Sequence, residues 1–195
     1  MIIFSPNMIK AILSDYDGVL IPDEYRGIRT LCPDVTLLER IESAYYATAT
    51  CTGLWEELRN AFALKESDDE LRMLYNTEDD EQRQFEARVL DRYREIQGDC
   101  LLLLLSNQIT DRANYLRARN HLGCFDTLYF SNELGLQKPN PAIFALVLAR
   151  HNLSPEEVIF IDDAQENIDA ASALGMQTIH FTGIESLDRI RSLLS

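Results

Sequence analysis

The chain has 195 residues, of which 46% are hydrophobic and 26% charged, with 8 glycines and 6 prolines. That composition excludes a disordered, collagen-like or low-complexity protein, and the length suits one domain with an insert. Lys plus Arg total 18 against 32 Asp plus Glu, a formal net charge of −14. A surface this acidic repels phosphate backbones and anionic lipid, so neither nucleic acid nor a membrane surface is expected as a partner.

In chain order, Met1–Asn7 have no basic lead and no long apolar stretch, which predicts no signal peptide. The longest apolar run, Cys100–Leu105, falls far short of the roughly 20 residues of a membrane helix. Cys32, Cys51, Cys100 and Cys124 are spaced neither as a disulfide scaffold nor as a zinc site. Buried, idle thiols in a reducing cytoplasm are the expectation.

A first strand is predicted over Ile9–Ser14. From about Pro22 to Gly98 no strand is legible, and the periodicity turns helical. Leu54, Trp55, Leu58 and Phe62 share one face, while Phe85, Val89, Tyr93 and Ile96 share another. Ser67-Asp68-Asp69-Glu70 and Thr77-Glu78-Asp79-Asp80 read as helix starts, and the acid runs Asp68-Asp69-Glu70 and Asp79-Asp80-Glu81 as solvated and favoured by the helix dipole. Trp55 is expected in the core of this helical insert.

Strands then return at Cys100–Ser106, Thr127–Phe130, Val158–Ile161 and Thr178–Phe181, alternating with helices. The helices are Asp111–Leu122, Pro141–Arg150 behind an Asn140 cap, a short one opened by Ser154-Pro155-Glu156-Glu157, and Gln165–Leu174 ending at Gly175. Continuous apolar strands between helices predict an α/β fold with a doubly wound, Rossmann-like parallel sheet. Its core would comprise 1–21 and 99–195, with 22–98 inserted after the first strand.

In such a sheet a ligand sits beyond the carboxyl ends of the strands. The first strand ends in Asp15-Tyr16-Asp17-Gly18, the second in Ser106-Asn107 and the fourth in Asp162-Asp163, with Asn167 beyond; Lys138 precedes a capped helix. Each feature alone is weak, but three strand ends bearing acids, a hydroxyl and acids in that order are hard to obtain by chance. Two carboxylates about 4 Å apart repel by roughly 4 kcal/mol at an effective dielectric near 20. An all-oxygen set without His or Cys suits a hard cation such as Mg²⁺. A metal, a lysine and a hydroxyl together suit a phosphoryl group, and a carboxylate can be its covalent acceptor. His121, His151 and His180 lack ligand spacing and read as structural or surface residues.

Four stretches make the pattern specific: Ser14–Leu20, Leu105–Asn107, Gly135–Phe144 and Phe160–Asn167, the last running on to Gly175-Met176. With them the chain resembles the haloacid dehalogenase (HAD) superfamily, in its phosphatase-like branch with a helical cap after the first motif. In flavour it is similar to the small sugar-phosphate phosphatases. The resemblance implies that Asp15 attacks phosphorus and that Asp17 acts as acid and then base. It implies that Ser106, Asn107 and Lys138 hold the phosphoryl group. Mg²⁺ would be bound by Asp15, the Asp17 carbonyl and Asp163, with Asp162 as ligand or support and Asn167 orienting that shell. Gly18 would let the chain turn away, and Tyr16 occupies a variable position. The implied substrate is a small phosphorylated metabolite.

Three rival activities follow from the same residues. A phosphomutase or phosphotransferase would share the first half-reaction, since the cap decides water access. A haloacid dehalogenase needs no acid two residues after the nucleophile, so Asp17 opposes it. A phospho-receiver module would lack the 22–98 insert and carry its phosphorylated Asp later. A lid-like motion of the insert, hinged near Pro22 and Gly98, is also expected.

Overall fold

The computed structural model describes residues 8–22 and 26–194; the reading of Met1–Asn7 lies outside them. Five strands, β1 (Ala11–Ser14), β2 (Leu101–Ser106), β3 (Thr127–Phe130), β4 (Val158–Asp162) and β5 (Gln177–His180), form one sheet in the order β3-β2-β1-β4-β5. Every neighbouring pair is parallel, with Ser14 level with Leu104 on one side and Ile161 on the other. The α/β, Rossmann-like sheet expected from the sequence is present.

The apolar strands alternate between two cores. Ile12, Leu102, Leu104, Ile159 and Ile161 face one, while Leu13, Leu103, Leu105, Val158 and Phe160 face the other. Burial on both faces is what removes the polar alternation from these strands. The second face is covered by α8 (Pro141–His151) and α9 (Gln165–Ala173), which contribute Ile143, Phe144, Val147 and Ile168. Asn140 caps α8 through a bond from the Ala142 N–H (3.0 Å), with Pro141 at the first helical position.

Between β1 and β2 run α1 (Arg26–Arg29), α2 (Val35–Ser43), α3 (Leu54–Phe62), α4 (Asp68–Tyr75) and α5 (Asp80–Arg94). They do not pack as one unit. Ile28, Leu38, Leu54, Trp55, Leu58 and Tyr75 form a separate apolar cluster. Val89, Leu90 and Tyr93 of α5 instead join the first face of the sheet, and the Tyr93 hydroxyl donates to Ser14 Oγ at 2.7 Å. Trp55 is buried in the helical cluster, and its Nε1 also reaches Asp111 Oδ2 at 3.0 Å.

Helix α6 (Thr110–Arg119) stops short of the expected Leu122, because Asn120 turns left-handed (φ 51°) and Leu122 packs into the core from the following turn. Strand β5 begins one residue early, at Gln177, which pairs with Ile159. Helix α4 has the expected Ser67–Glu70 capping box, whereas α5 is capped by Asp79 with Gln82 rather than by Thr77. Two short helices, α7 (Ser131–Leu134) and α10 (Arg189–Leu194), complete the chain. Among the described residues no helix is long and apolar enough to cross a membrane.

Candidate active site

Because β2, β1 and β4 are adjacent, their carboxyl ends bring Ser106, Asp15 and Asp162 together at one edge of the sheet. Asp15, Asp17, Ser106, Asn107, Lys138 and Asp163 all line one crevice of about 250 Å³. The expected site residues therefore converge, Asp162 lying just beneath the crevice floor at 0% exposure.

Lys138 is the centre of the charge arrangement. Its Nζ donates to Asp15 Oδ2 at 2.8 Å and to Asp162 Oδ2 at 2.6 Å, and the side chain is buried. Asp162 spends its other oxygen on the Ala164 N–H and on Asn167 Nδ2, both at 2.9 Å. That leaves Asp162 as the anchor of the lysine, with both of its oxygens engaged. Asn107 clamps the lysine loop: its Oδ1 accepts from the Lys138 N–H and its Nδ2 donates to the Lys138 carbonyl, each at 2.9 Å. The amide expected to hold the phosphoryl group is thus engaged with the backbone of the lysine loop.

Burial pushes the Asp15 carboxyl well above the ordinary carboxylate range, against the pull of Lys138 and with repulsion from Asp162 and Asp17 adding to the rise. Burial alone would depress the Lys138 ammonium, but Asp15 and Asp162 outweigh it and raise its pKa. An ionised Asp15 therefore calls for more positive charge than Lys138 supplies.

Oxygens of Asp15, Asp162 and Asp163 lie within 4.8 Å of one another, an all-carboxylate set. Beside them the Oδ1 of buried Asn167 has no hydrogen-bond partner among the described residues. This donor set fits a hard divalent cation such as Mg²⁺. Gly18 makes room for the Asp163 carboxylate. Its φ is +77°, and a Cβ there would lie 2.2 Å from the Asp163 carboxylate, so glycine is required by conformation and by space together.

One residue of the site was not found by sequence reasoning. Gln108, fully buried, donates through Nε2 both to Asp17 Oδ2 (2.5 Å) and to Ser106 Oγ (2.8 Å). It ties the hydroxyl of β2 to the acid of the β1 loop. The only signal in the chain is a polar residue two places after a strand end, in Ser106-Asn107-Gln108. Neither Ser106 nor Thr110 caps the following helix; the N-cap position is Ile109, without a side-chain bond. The histidines serve the scaffold: His180 Nε2 meets the Asp163 carbonyl oxygen (2.8 Å), His151 meets the Tyr129 hydroxyl (2.8 Å) and His121 meets Glu86 (2.6 Å).

Tyr16 points away from the crevice. Its hydroxyl donates to Glu86 Oε1 at 2.7 Å, and Arg112 lies over its ring. Around it Glu78 accepts from Arg112 (2.8 Å) and from Arg119, and Arg119 also reaches Glu86 at 3.3 Å. The Arg119–Glu86 pair fastens α5 to α6, and the Glu78 pairs tie the turn just before α5 to the same helix. Glu78, within the expected helix start Thr77–Asp80, is buried, because two arginines of α6 converge on it.

The chain as a whole has relatives among known proteins. A profile of the haloacid dehalogenase-like hydrolases matches residues 9–175, and the chain belongs to that family. A phosphorylated carbohydrates phosphatase of Thermotoga maritima is 34% identical over 70 residues, covering 36% of this chain and 32% of that protein. A D-ribitol-5-phosphate phosphatase of Bacteroides thetaiotaomicron is 40% identical over 53 residues, 27% of this chain and 26% of that one. The matched stretches thus span about a third or less of these relatives. Among solved structures, a HAD family enzyme of Bacteroides thetaiotaomicron in complex with magnesium and inorganic phosphate superposes with a TM-score of 0.66 at 21% identity. That match covers 87% of this chain and 92% of the other, and shows the shared fold.

Proposed function

We propose that this protein is a Mg²⁺-dependent phosphatase that hydrolyses a small phosphomonoester through an aspartyl-phosphate on Asp15. The observation that carries the reading is the meeting of a buried carboxylate nucleophile, a lysine bridging it to a second acid, and an all-oxygen cation cradle at three adjacent strand ends. The phosphatase relatives support the same direction.

Asp15 Oδ attacks phosphorus, forming the aspartyl–phosphorus bond while the bond to the leaving oxygen breaks. Asp17, held by Gln108, gives its proton to that oxygen. A water then attacks the phosphorus, Asp17 takes its proton, and phosphate leaves with Asp15 restored. Lys138 and Ser106 stabilise the phosphoryl oxygens, and Asn107 keeps the lysine loop in place. The Asp15 and Asp163 carboxylates and the Asp17 carbonyl would hold the cation, with Asp162 and Asn167 supporting them. When bound, the cation neutralises the acids and the developing phosphoryl charge.

The segment 22–98 is proposed as a helical cap in which α1 to α4 form the movable lid, since α5 packs on the sheet through Val89, Leu90 and Tyr93 and is tied to α6 by the Arg119–Glu86 pair. Four free cysteines, three of them buried, support a reducing compartment such as the cytoplasm. Turnover of an aryl phosphate with Mg²⁺, abolished by chelation and restored by added metal, tests the reading. Full activity in excess chelator would remove the metal from it.

A further inference from the structure

The roof of the crevice is formed by α1, α2 and the turn after α2, through Arg29, Glu39, Glu42, Ser43 and Tyr46. Glu42 stands out. It is 1% exposed, and its Oε1 has no hydrogen-bond partner among the described residues; Oε2 accepts only a long bond (3.3 Å) from the Tyr46 hydroxyl. A carboxyl oxygen buried without a partner is costly, and natural proteins tolerate it where a ligand completes the bond. Arg29 turns to Glu39 at 3.5 Å. Among the described residues, this part of the lining holds two carboxylates, Glu39 and Glu42, and one cation, Arg29.

We propose that Glu42 reads the alcohol part of the substrate: its unpartnered oxygen receives a hydroxyl, which selects monophosphates of small uncharged polyols or sugars and turns away those with a second anionic group. This rests on the phosphatase reading and adds the residue that sets specificity. Three features argue for the hydroxyl. Glu42 lines the same crevice as Asp15, Asp17, Ser106 and Lys138, but belongs to the inserted helical segment rather than to the strand ends that would hold the phosphate. The crevice, about 250 Å³, is smaller than the ~300–1,000 Å³ of sites for drug-sized ligands, which suits a compact metabolite. Burial, with Asp17 and Glu39 adding to it and the Tyr46 hydrogen bond and the Arg29 charge opposing it, lifts the Glu42 carboxyl to about 8, so near neutral pH it presents both a donor and an acceptor, the complement of a hydroxyl. A carboxylate or second phosphate on the substrate would instead meet Glu39 and an acid that cannot ionise cheaply.

The test compares kcat/KM on three kinds of substrate: a set of polyol and aldose monophosphates, phenyl phosphate without hydroxyls, and phosphoglycolate with a second anion. The parent is expected to favour the best polyol or aldose phosphate over phosphoglycolate. Glu42→Leu should lower kcat/KM on that substrate by about tenfold to a hundredfold while leaving phenyl phosphate within about twofold. Glu42→Gln, which keeps an acceptor, should recover part of the loss. Should the leucine variant fail to fold, the glutamine variant decides through its ratio of polyol to phosphoglycolate turnover, expected to fall. Equal changes on all three substrates, or none, would overturn the role of Glu42 and leave the phosphatase standing. A parent that turns over phenyl phosphate but prefers phosphoglycolate would also overturn it. No turnover of any phosphomonoester with Mg²⁺ would overturn both.

Discussion

Two buried charge clusters lie on either side of the segment Asp15-Tyr16-Asp17, and they are built on opposite principles. Behind Tyr16, Glu78 and Glu86 meet Arg112, Arg119 and His121, so each acid has a cationic partner. In front, Asp15, Asp17 and Asp163 line the crevice above Asp162, and Lys138 bridges Asp15 and Asp162. The balanced cluster is closed and joins α5 to α6; the unbalanced one opens on a crevice. Buried charge that is matched within the protein fixes the scaffold, whereas buried charge left in excess is held for a ligand. Two of the buried glutamates of the helical segment, Glu86 and Glu42, repeat the contrast. Burial pushes Glu86 up, but its bonds from His121 and Tyr16 and the charge of Arg119 win and lower it, while Glu42, facing the crevice, is lifted to about 8.

The largest expected effect is in the open cluster. Asp15→Asn removes the nucleophile, and turnover should fall by about 10⁴-fold or more. Since it also removes a charge from a crowded site, the metal-free variant should melt at the parent temperature or above it. A variant melting well below the parent in chelator would contradict the idea that this charge is in excess.

The closed cluster should answer the other way. Glu78→Leu strands buried Arg112 without its carboxylate and should cost about 3–5 kcal/mol in denaturant unfolding. The folded fraction should keep kcat within about twofold. A loss of turnover without loss of stability would mean that the two clusters are not separate.

Asp17→Asn should lower turnover of polyol or sugar phosphates by about 10²–10⁴-fold, and less for aryl phosphates, whose leaving groups need no proton. Gln108→Leu should follow the same leaving-group trend at about a tenth of the size or less, because it only positions Asp17. Equal losses across the leaving-group series would exclude Asp17 as the acid.

The smallest effects are on stability against pH, and they have opposite signs. Glu42 has a raised pKa, so its contribution is fully present below the ordinary glutamate value. It is lost as pH rises toward about 8. Glu86 has a lowered pKa, so its contribution is present above the ordinary value and is lost as pH falls through the acid range. Melting of Glu42→Gln should therefore flatten the neutral limb, and that of Glu86→Gln the acid limb. Identical pH profiles for both variants would break the contrast.

The floor of the crevice was legible in the sequence because strand ends are. An apolar run of five leucines closing on Ser106, and Val158–Ile161 closing on Asp162, announce where side chains emerge from the sheet. The roof was not legible. Glu42 follows Ile41 and lies four residues after Leu38, so it sits on the buried stripe of α2. A carboxylate in that stripe is the signal, but it points to the crevice only once the fold of the segment is known. Glu78 and Glu86 were hidden for a related reason: their arginine partners lie 34 and 33 residues along the chain, in α6. The grouping of α5 with the sheet rests on the same long-range packing.

The central claim is that Asp15 carries the phosphoryl group, and the most direct measurement is mass analysis of the acid-quenched enzyme during turnover of an aryl phosphate with Mg²⁺. A phosphoryl group is expected on the peptide containing Asp15. It should accumulate further in Asp17→Asn, where water is no longer activated, and be absent in Asp15→Asn. Turnover with no modified peptide in either the parent or Asp17→Asn, or the same label in Asp15→Asn, would contradict the assignment.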